Sequence, residues 1–404
     1  MIAAISWRNV WRTKLRSLVI IMAIAIGLTG GVLSVGVFNG LAEQKMRTAI
    51  DTQTAHIQIH KKGFTDDYDI HYFLENPDKI VAAIEKDKRI KSFSTRTISE
   101  LMIRTANGSA GVQLLGINPE AEKSISTIWE SVVDGAYFEG IKRNPILISQ
   151  KTAEKLKVKV KSKIILSMLD GDGNAVDAGF RVVGIFKTSS SMFDEATAFV
   201  RQGDLQRLTL MKGVNHEITI KVTDLEEVSP VIASLKSNLP DDLQIESWKE
   251  VQPELAYISD MTGQMNFLFL GIILFALAFG ILNTMLMAIF ERIKEIGVLM
   301  AVGMNKFKIF MMIVFETIFL ALIGGFIGIV ISAILMLWLG NQGINLSVVG
   351  EGLAAYGVGQ ILYPQLSGAF YFQLILMVFF TAIFSSIYPA FKALKLKPVE
   401  AIHG

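Results

Sequence analysis

"MNFLFLGIILFALAFGILNTMLMAIFERIKEIGVLMAVGMNKFKIF", residues 265–310, sets a short charged segment between two long apolar runs. No charge occurs from Met261 to Phe290, nor from Thr317 to Gly350 on the far side of the segment. Each run exceeds the roughly 20 apolar residues that cross a hydrocarbon core of about 30 Å. The stretch therefore reads as two membrane spans joined by a polar turn. Working outward, Ser17–Ala42 is also uncharged, and so is Gly352–Phe391, within which 370–388 is solidly apolar. Only 19% of the 404 residues are charged and the mean hydropathy is +0.44, against about 25% charged in ordinary soluble domains. A buried soluble core is excluded. The first run is too long for the roughly 7–15 residue apolar region of a signal peptide, and no clean cleavage site follows it. It is expected to remain as an anchor.

Lysine and arginine near the span ends set the orientation. Arg8, Arg12, Lys14, Arg16, Arg292, Lys294, Lys306, Lys308, Lys392, Lys395 and Lys397 lie on one side. Lys45 and Arg47 lie on the other, and loop 340–369 has no basic residue. Both termini and the 291–308 turn are thus expected in the cytoplasm of an inner-membrane protein, with the stretch from about 41 to 262 outside. The chain has no cysteine. A domain of this size folds without disulfide staples. The net charge of +2 points to no nucleic-acid partner.

The fold class read here is a four-span α-helical membrane protein with a large α+β extracytoplasmic domain. Its expected order is an amphipathic interfacial helix at 1–17, a first span at 18–40, the domain at 41–262 and a second span at 265–290. A turn helix at 291–306, a third span at 307–339, a short outer loop at 340–369, a fourth span at 370–389 and a cytoplasmic tail at 390–404 complete it. In the terminal helix, Trp7, Trp11 and a basic row at Arg8, Arg12 and Arg16 suit the headgroup level. In the domain, "HIQIH" and "LMIRT" read as strands around a helix opened by Asn76-Pro77, and Asn107-Gly108 reads as a hairpin turn. "HEITIKV", "VSPVIASLKSNL" and "LQIESW" form a second strand–helix–strand unit. Two βαβ-like units, 50–110 and 213–250, therefore bracket a β-rich insertion at 111–212. The third span would measure about 50 Å as one helix, longer than a bilayer requires.

Few residues carry chemistry. Gly27/Gly31 and Gly324/Gly328 have the spacing that lets helices approach closely in lipid. Glu316 is an ionisable group inside a span, a functional candidate by position, with snorkelling to the interface as the plainer reading. His56 and His60 share a strand face and are expected to be solvated rather than metal ligands. "DGDGN" (170–174) departs from a calcium loop at Ala175 and Arg181 and reads as a tight turn. The chain holds no phosphate loop, dinucleotide fingerprint, nucleophile elbow or zinc-protease motif. It is expected not to be an enzyme, with no cofactor of its own.

The segment "ERIKEIGVLMAVG" with Glu316 and a following glycine cluster resembles the signature of FtsX-like, MacB-type ABC transporter permeases. The tail "YPAFKALKLKPVEAI" and the opening "ISWRNVWRTKLRS" are similar to that family's ends. "LLGINPEAE", "VVDGAYF" and "FRVVGIFKTSSSMFDEATAFV" look most like its lipoprotein-releasing (LolC/LolE) branch. The resemblance implies a permease that pairs with a second copy or a sibling and binds two copies of a cytoplasmic ATPase, where ATP and Mg2+ sit. It makes 291–303 the coupling helix, with Glu291, Arg292, Lys294, Glu295, Ile296, Gly297, Ala301 and Gly303 as the coupling residues. The charges would dock, and the glycines would allow close approach and the turn into the third span. It further implies mechanotransmission to the periplasmic domain and release of a lipoprotein or other amphiphile from membrane lipid. A periplasmic carrier or hydrolase is a further implied partner. The segment matching the carrier-docking hairpin, "LDGDGNAVDAG", is short here. The alternative function is a non-transporting permease that activates a periplasmic cell-wall hydrolase.

Overall fold

A computed structural model describes residues 2–395, the side chain of Glu351 apart. Most of the 390–404 tail lies outside the described residues. Among those described, four helices are long and apolar enough to cross a membrane: Lys14–Ala49, Pro253–Glu291, Lys306–Gln342 and Gly368–Leu394. All four overrun the spans expected from hydropathy. Polar helix formers such as Glu43–Arg47, where Arg47 donates to Glu43 at 3.3 Å, continue the backbone bonding past the apolar run. The first helix then closes in a π turn, Ile50–Thr54.

The chain divides into two compact units. The membrane unit comprises the residues up to Ala42, Asp260–Ile344 and those from Leu362 onward. Spans one and three meet along a close seam. A Cβ on Gly324 would stand 2.9 Å from the Ile21 carbonyl, and one on Gly328 2.9 Å from that of Ala25. Here the lack of a side chain is what lets two backbones touch. Thr29 adds a hydrogen bond to the Gly328 carbonyl at 3.2 Å. The other expected pair divides. Gly31 lies against Ile273 of the second span, but a Cβ on Gly27 would meet nothing within 4 Å. Crossing helices touch over a limited length, and this contact runs through Gly31 and the Phe38–Phe269 ring pair. Only 17% of the second span's most apolar stretch is buried.

The terminal helix is Ile2–Arg12, shorter than the expected 1–17, and it is not purely interfacial. Ser6 donates to the Met312 carbonyl at 3.0 Å, Val10 is fully buried, and Trp7 sets its edge on Phe319 at 5.3 Å. A small, apolar i, i+4 face docks it on the third span.

The outer unit, Glu43–Ser259 with Asn345–Ile361, is built on ten strands. They are β1 (Ile57–Lys61), β2 (Ile90–Thr105), β3 (Gly108–Ile117), β4 (Val132–Gly135), β5 (Pro145–Ser149), β6 (Lys163–Leu169), β7 (Ala175–Phe186), β8 (Thr197–Arg201), β9 (Glu217–Val222) and β10 (Leu243–Ser247). One lobe has the antiparallel order β10-β1-β9-β2. Helices Pro77–Lys86 and Val228–Asn238 cross between its strands and bury Ile80, Ile84, Val231 and Leu235 on one face. This is a split-βαβ arrangement. In the other lobe β2 pairs β3, β3 pairs β8, β8 pairs β5, β5 pairs β7, β7 pairs β6, and β6 returns to β2. The result is a closed barrel filled by Ile103, Leu114, Ile148, Leu166, Phe180 and Val182. Period-two alternation puts these inside and Met102, Arg104, Ile165 and Arg181 outside. The expected division at residue 110/111 is corrected. The 16-residue β2 serves both lobes, pairing β9 through Arg96 and β6 from Met102. The 170–174 turn joins β6 to β7, with the Asp170 carboxylate accepting from the amides of Asp172 (3.0 Å) and Asn174 (2.8 Å).

Arg96 stands where β2 passes from one lobe to the other. Its guanidinium donates to Glu122 (2.5 and 3.2 Å), to Glu217 (2.8 Å) and to the Gln53 carbonyl of the π turn (3.0 Å). Burial alone would lower its pKa, but the two carboxylates prevail and hold it above the ordinary arginine value. Burial likewise works to raise Glu217, and Arg96 and His60 hold it low.

His56 and His60 are buried, contrary to the solvated reading. His60 Nε2 meets Glu217 at 2.8 Å. His56 Nδ1 accepts from the Val222 amide (3.1 Å) and His216 Nδ1 from the Ile98 amide (2.9 Å). An acceptor nitrogen is unprotonated, and burial depresses the pKa of both His56 and His216 below 6.5. The unfolded chain takes up their protons first as pH falls. Stability is therefore expected to be full above pH 6.5 and to drop below it, by at most about 1.4 kcal/mol per pH unit per histidine. His71, raised by its hydrogen bond to Asp69, acts in the opposite sense, but the pair is exposed and its effect is small. Thermal midpoints of the purified protein between pH 7.5 and 5 check this. A flat profile would contradict it.

Candidate functional site

The turn between spans two and three is built by three local devices. Arg292, at φ −109° and ψ 19°, interrupts the helix after Glu291. A short helix then runs Ile293–Ala301, inside the expected 291–306. It ends with the Gly303 amide on the Met300 carbonyl (3.1 Å) and the Met304 amide on that of Leu299 (3.0 Å). Gly303 sits at φ +95°, where a side chain would be strained, so its role in the turn is conformational. Asn305 caps the third span by accepting from the Phe307 amide at 3.0 Å.

This helix has two unlike faces. Ile296 and Gly297 are buried inward. Lys294, Val298 (49% exposed), Ala301 and Val302 (84% exposed) point outward, with Gly303 and Glu291 at the ends. The expected docking charges divide between them. Arg292 and Glu295 turn back onto the chain, with Arg292 Nε donating to Glu295 at 2.9 Å and Arg12 of the terminal helix also pairing Glu295. Arg292 Nη1 reaches Glu316 at 3.3 and 3.4 Å, and Arg16 reaches the same carboxylate at 3.3 Å. Arg16 also faces Glu291 at 3.6 Å.

Glu316 thus does not reach solvent within this chain. Its side chain is 4% exposed and is held between guanidiniums from the first span and from the turn. This one buried carboxylate ties the first span and the turn to the third span, and Glu295 adds the terminal helix through Arg12. The roles of Arg12 and Arg16 could not be read from the sequence. Their i, i+4 spacing was legible, but their partners lie 283 and 300 residues away. Among the described residues, no group of three or more His, Asp or Glu is disposed to hold a metal ion.

Residues 17–238 match the family described as the MacB-like periplasmic core domain, and residues 267–398 match the FtsX-like permease C-terminal. The chain belongs to the MacB/FtsX-like family of ABC transporter permeases. An uncharacterized ABC transporter permease of Methanocaldococcus jannaschii is 29% identical over 234 residues, covering 56% of each chain. The lipoprotein-releasing system transmembrane protein LolE of Haemophilus influenzae is 22% identical over 98% of both chains. The chain therefore spans just over half of the archaeal permease and nearly all of LolE. The crystal structure of the periplasmic region of MacB from Actinobacillus actinomycetemcomitans matches with a TM-score of 0.34 and 14% identity, covering 52% of this chain and 95% of that one. Family and topology together make this permease a multi-pass membrane protein.

Proposed function

We propose that this permease receives ATP-driven movement from a separate cytoplasmic ATPase at the Arg292–Gly303 turn. It passes that movement to spans one and three, in the service of extracting a lipidated or amphiphilic substrate such as a lipoprotein. The observation that carries the reading is the two-faced turn. An apolar face (Val298, Ala301, Val302) with one cation, Lys294, is free to enter a groove on another protein. The opposite face is ion-paired to helices on either side. A push on the outer face therefore meets a bonded unit rather than a loose loop. The termini and turn are cytoplasmic in this reading, the large domain is periplasmic, and two permease subunits pair over two ATPase subunits.

The test is co-purification with the ATPase. Val298→Asp with Val302→Asp buries two carboxylates against the partner, and an affinity loss of about 10–100-fold is expected for burying unpaired charge. Both positions are exposed in the isolated chain, so the thermal midpoint should not move. Unchanged binding and unchanged ATPase stimulation would overturn the docking assignment. Lipoprotein release from proteoliposomes distinguishes the cargo reading. ATP-dependent release supports it, and none with a coupled ATPase favours signalling to a hydrolase.

A further inference from the structure

The connection between spans three and four is folded and yet apolar on its surface. Residues 343–367 contain one charged residue, Glu351. A two-residue ladder pairs Ile344–Asn345 with Ile361–Leu362. The Leu346 amide donates to the Gln360 carbonyl at 2.8 Å, and the Val358 amide to that of Leu353 at 3.0 Å. Within this frame Leu362 and Val358 are buried, while Val348 is 97%, Tyr356 70% and Val349 55% exposed. A closed, hydrogen-bonded loop is holding large apolar side chains outward.

Chain connectivity places it. Two crossings separate this loop from the large domain, so both emerge on the same face of the membrane. Gln44 Nε2 donates to the Ile361 carbonyl at 2.9 Å, and Gln44 directly follows Glu43, the first charge after the uncharged first span. On the span side, a Cβ at Gly40 would stand 2.5 Å from the Tyr363 carbonyl. The loop is therefore level with the point where the first span leaves the hydrocarbon. Trp338 closes the third span close by in sequence, and Tyr356 and Tyr363 belong to the loop. Trp and Tyr concentrate at that depth.

We propose that residues 346–363 form an interfacial anchor that sinks Val348, Val349 and Tyr356 into the bilayer leaflet on the domain's side. The occupant of the apolar face is lipid, because the loop is tethered to two span ends at headgroup level. It also carries almost no charge that insertion would have to desolvate. The anchor holds the connection between the last two spans in the leaflet from which a membrane-embedded substrate would leave.

The cysteine-free chain makes the test direct. Val348→Cys, Tyr356→Cys and an exposed control in the domain, Glu226→Cys, are each labelled with an environment-sensitive fluorophore. The full-length proteins are reconstituted into phosphatidylethanolamine–phosphatidylglycerol vesicles. Blue-shifted emission is expected at Val348 and Tyr356, quenched about twofold or more by spin-labelled acyl chains relative to the control, as for a buried apolar face. Red emission quenched by iodide as strongly as at Glu226 would overturn the proposal. Blue emission indifferent to spin-labelled lipid would also overturn it, since protein would then cover the face.

Discussion

Glu316→Leu is expected to lower stability by about 2–4 kcal/mol, discounted from the roughly 3–5 kcal/mol for removing one partner of a buried ion pair. The discount arises because Arg16 and Arg292 keep 18% and 17% of their side-chain exposure. Two guanidiniums would be left facing each other without their shared acceptor. The thermal midpoint in detergent should fall, and protease should begin to cut near Lys294. Glu316→Gln keeps an acceptor without the charge and should fall between. Glu316→Leu combined with Arg292→Met removes one stranded cation and should recover part of the loss. If the turn carries movement to the spans, Glu316→Leu should also uncouple the partner ATPase while leaving the Val298–Val302 face able to bind it. An unchanged midpoint with unchanged cleavage would mean that the carboxylate does not hold the turn.

Arg96→Met should be the most damaging single change in the outer unit, costing about 3–5 kcal/mol. It leaves Glu122, with no exposed surface, without a cation, and Glu217, at 5% exposure, with His60 alone. It also withdraws the donor from the Gln53 carbonyl. The natural probes are Trp129 and Trp248, followed during urea unfolding of the full-length protein. Arg96→Met with Glu122→Gln and Glu217→Gln should regain most of the loss, because replacing every member of a buried charge cluster removes the stranded charges. A loss below about 1 kcal/mol would place the cluster in water, where ion pairs contribute that little.

The elements differ in how much of them could be read in advance. The apolar runs and the turn between them were legible because lipid acts on each stretch by its composition alone. The helix extensions were less so. Hydropathy ends at Ala42, whereas backbone hydrogen bonding continues to Ala49 through polar residues that tolerate a helix. The apolar strands "KIILSM" and "FRVVGIF" announced buried faces, but not that β6 would return to β2 and close a barrel. Strand alternation says which side chains go in, not which strand stands beside which. Similarly, the turn between spans two and three was visible by its charges, while the inward turn of Arg292 and Glu295 depended on where Arg12 and Glu316 come to lie.

The sequence by itself determined that this chain has four stretches long and apolar enough to cross a membrane, that the cations flanking them gather mostly on one side, and that it has a polar turn and a large outer domain. Each of these follows from local sums over neighbouring residues in contact with one solvent. Only the tertiary structure decided that Glu316 is a shared counter-ion, that Arg96 stands at the seam of two lobes and that Gly27, unlike Gly31, meets no other helix of its own chain. It also revealed that the loop after the third span folds with its apolar side chains outward. Those outcomes are pairings between residues as much as 300 positions apart, and a buried charge takes its meaning from what the fold brings within about 3–4 Å of it.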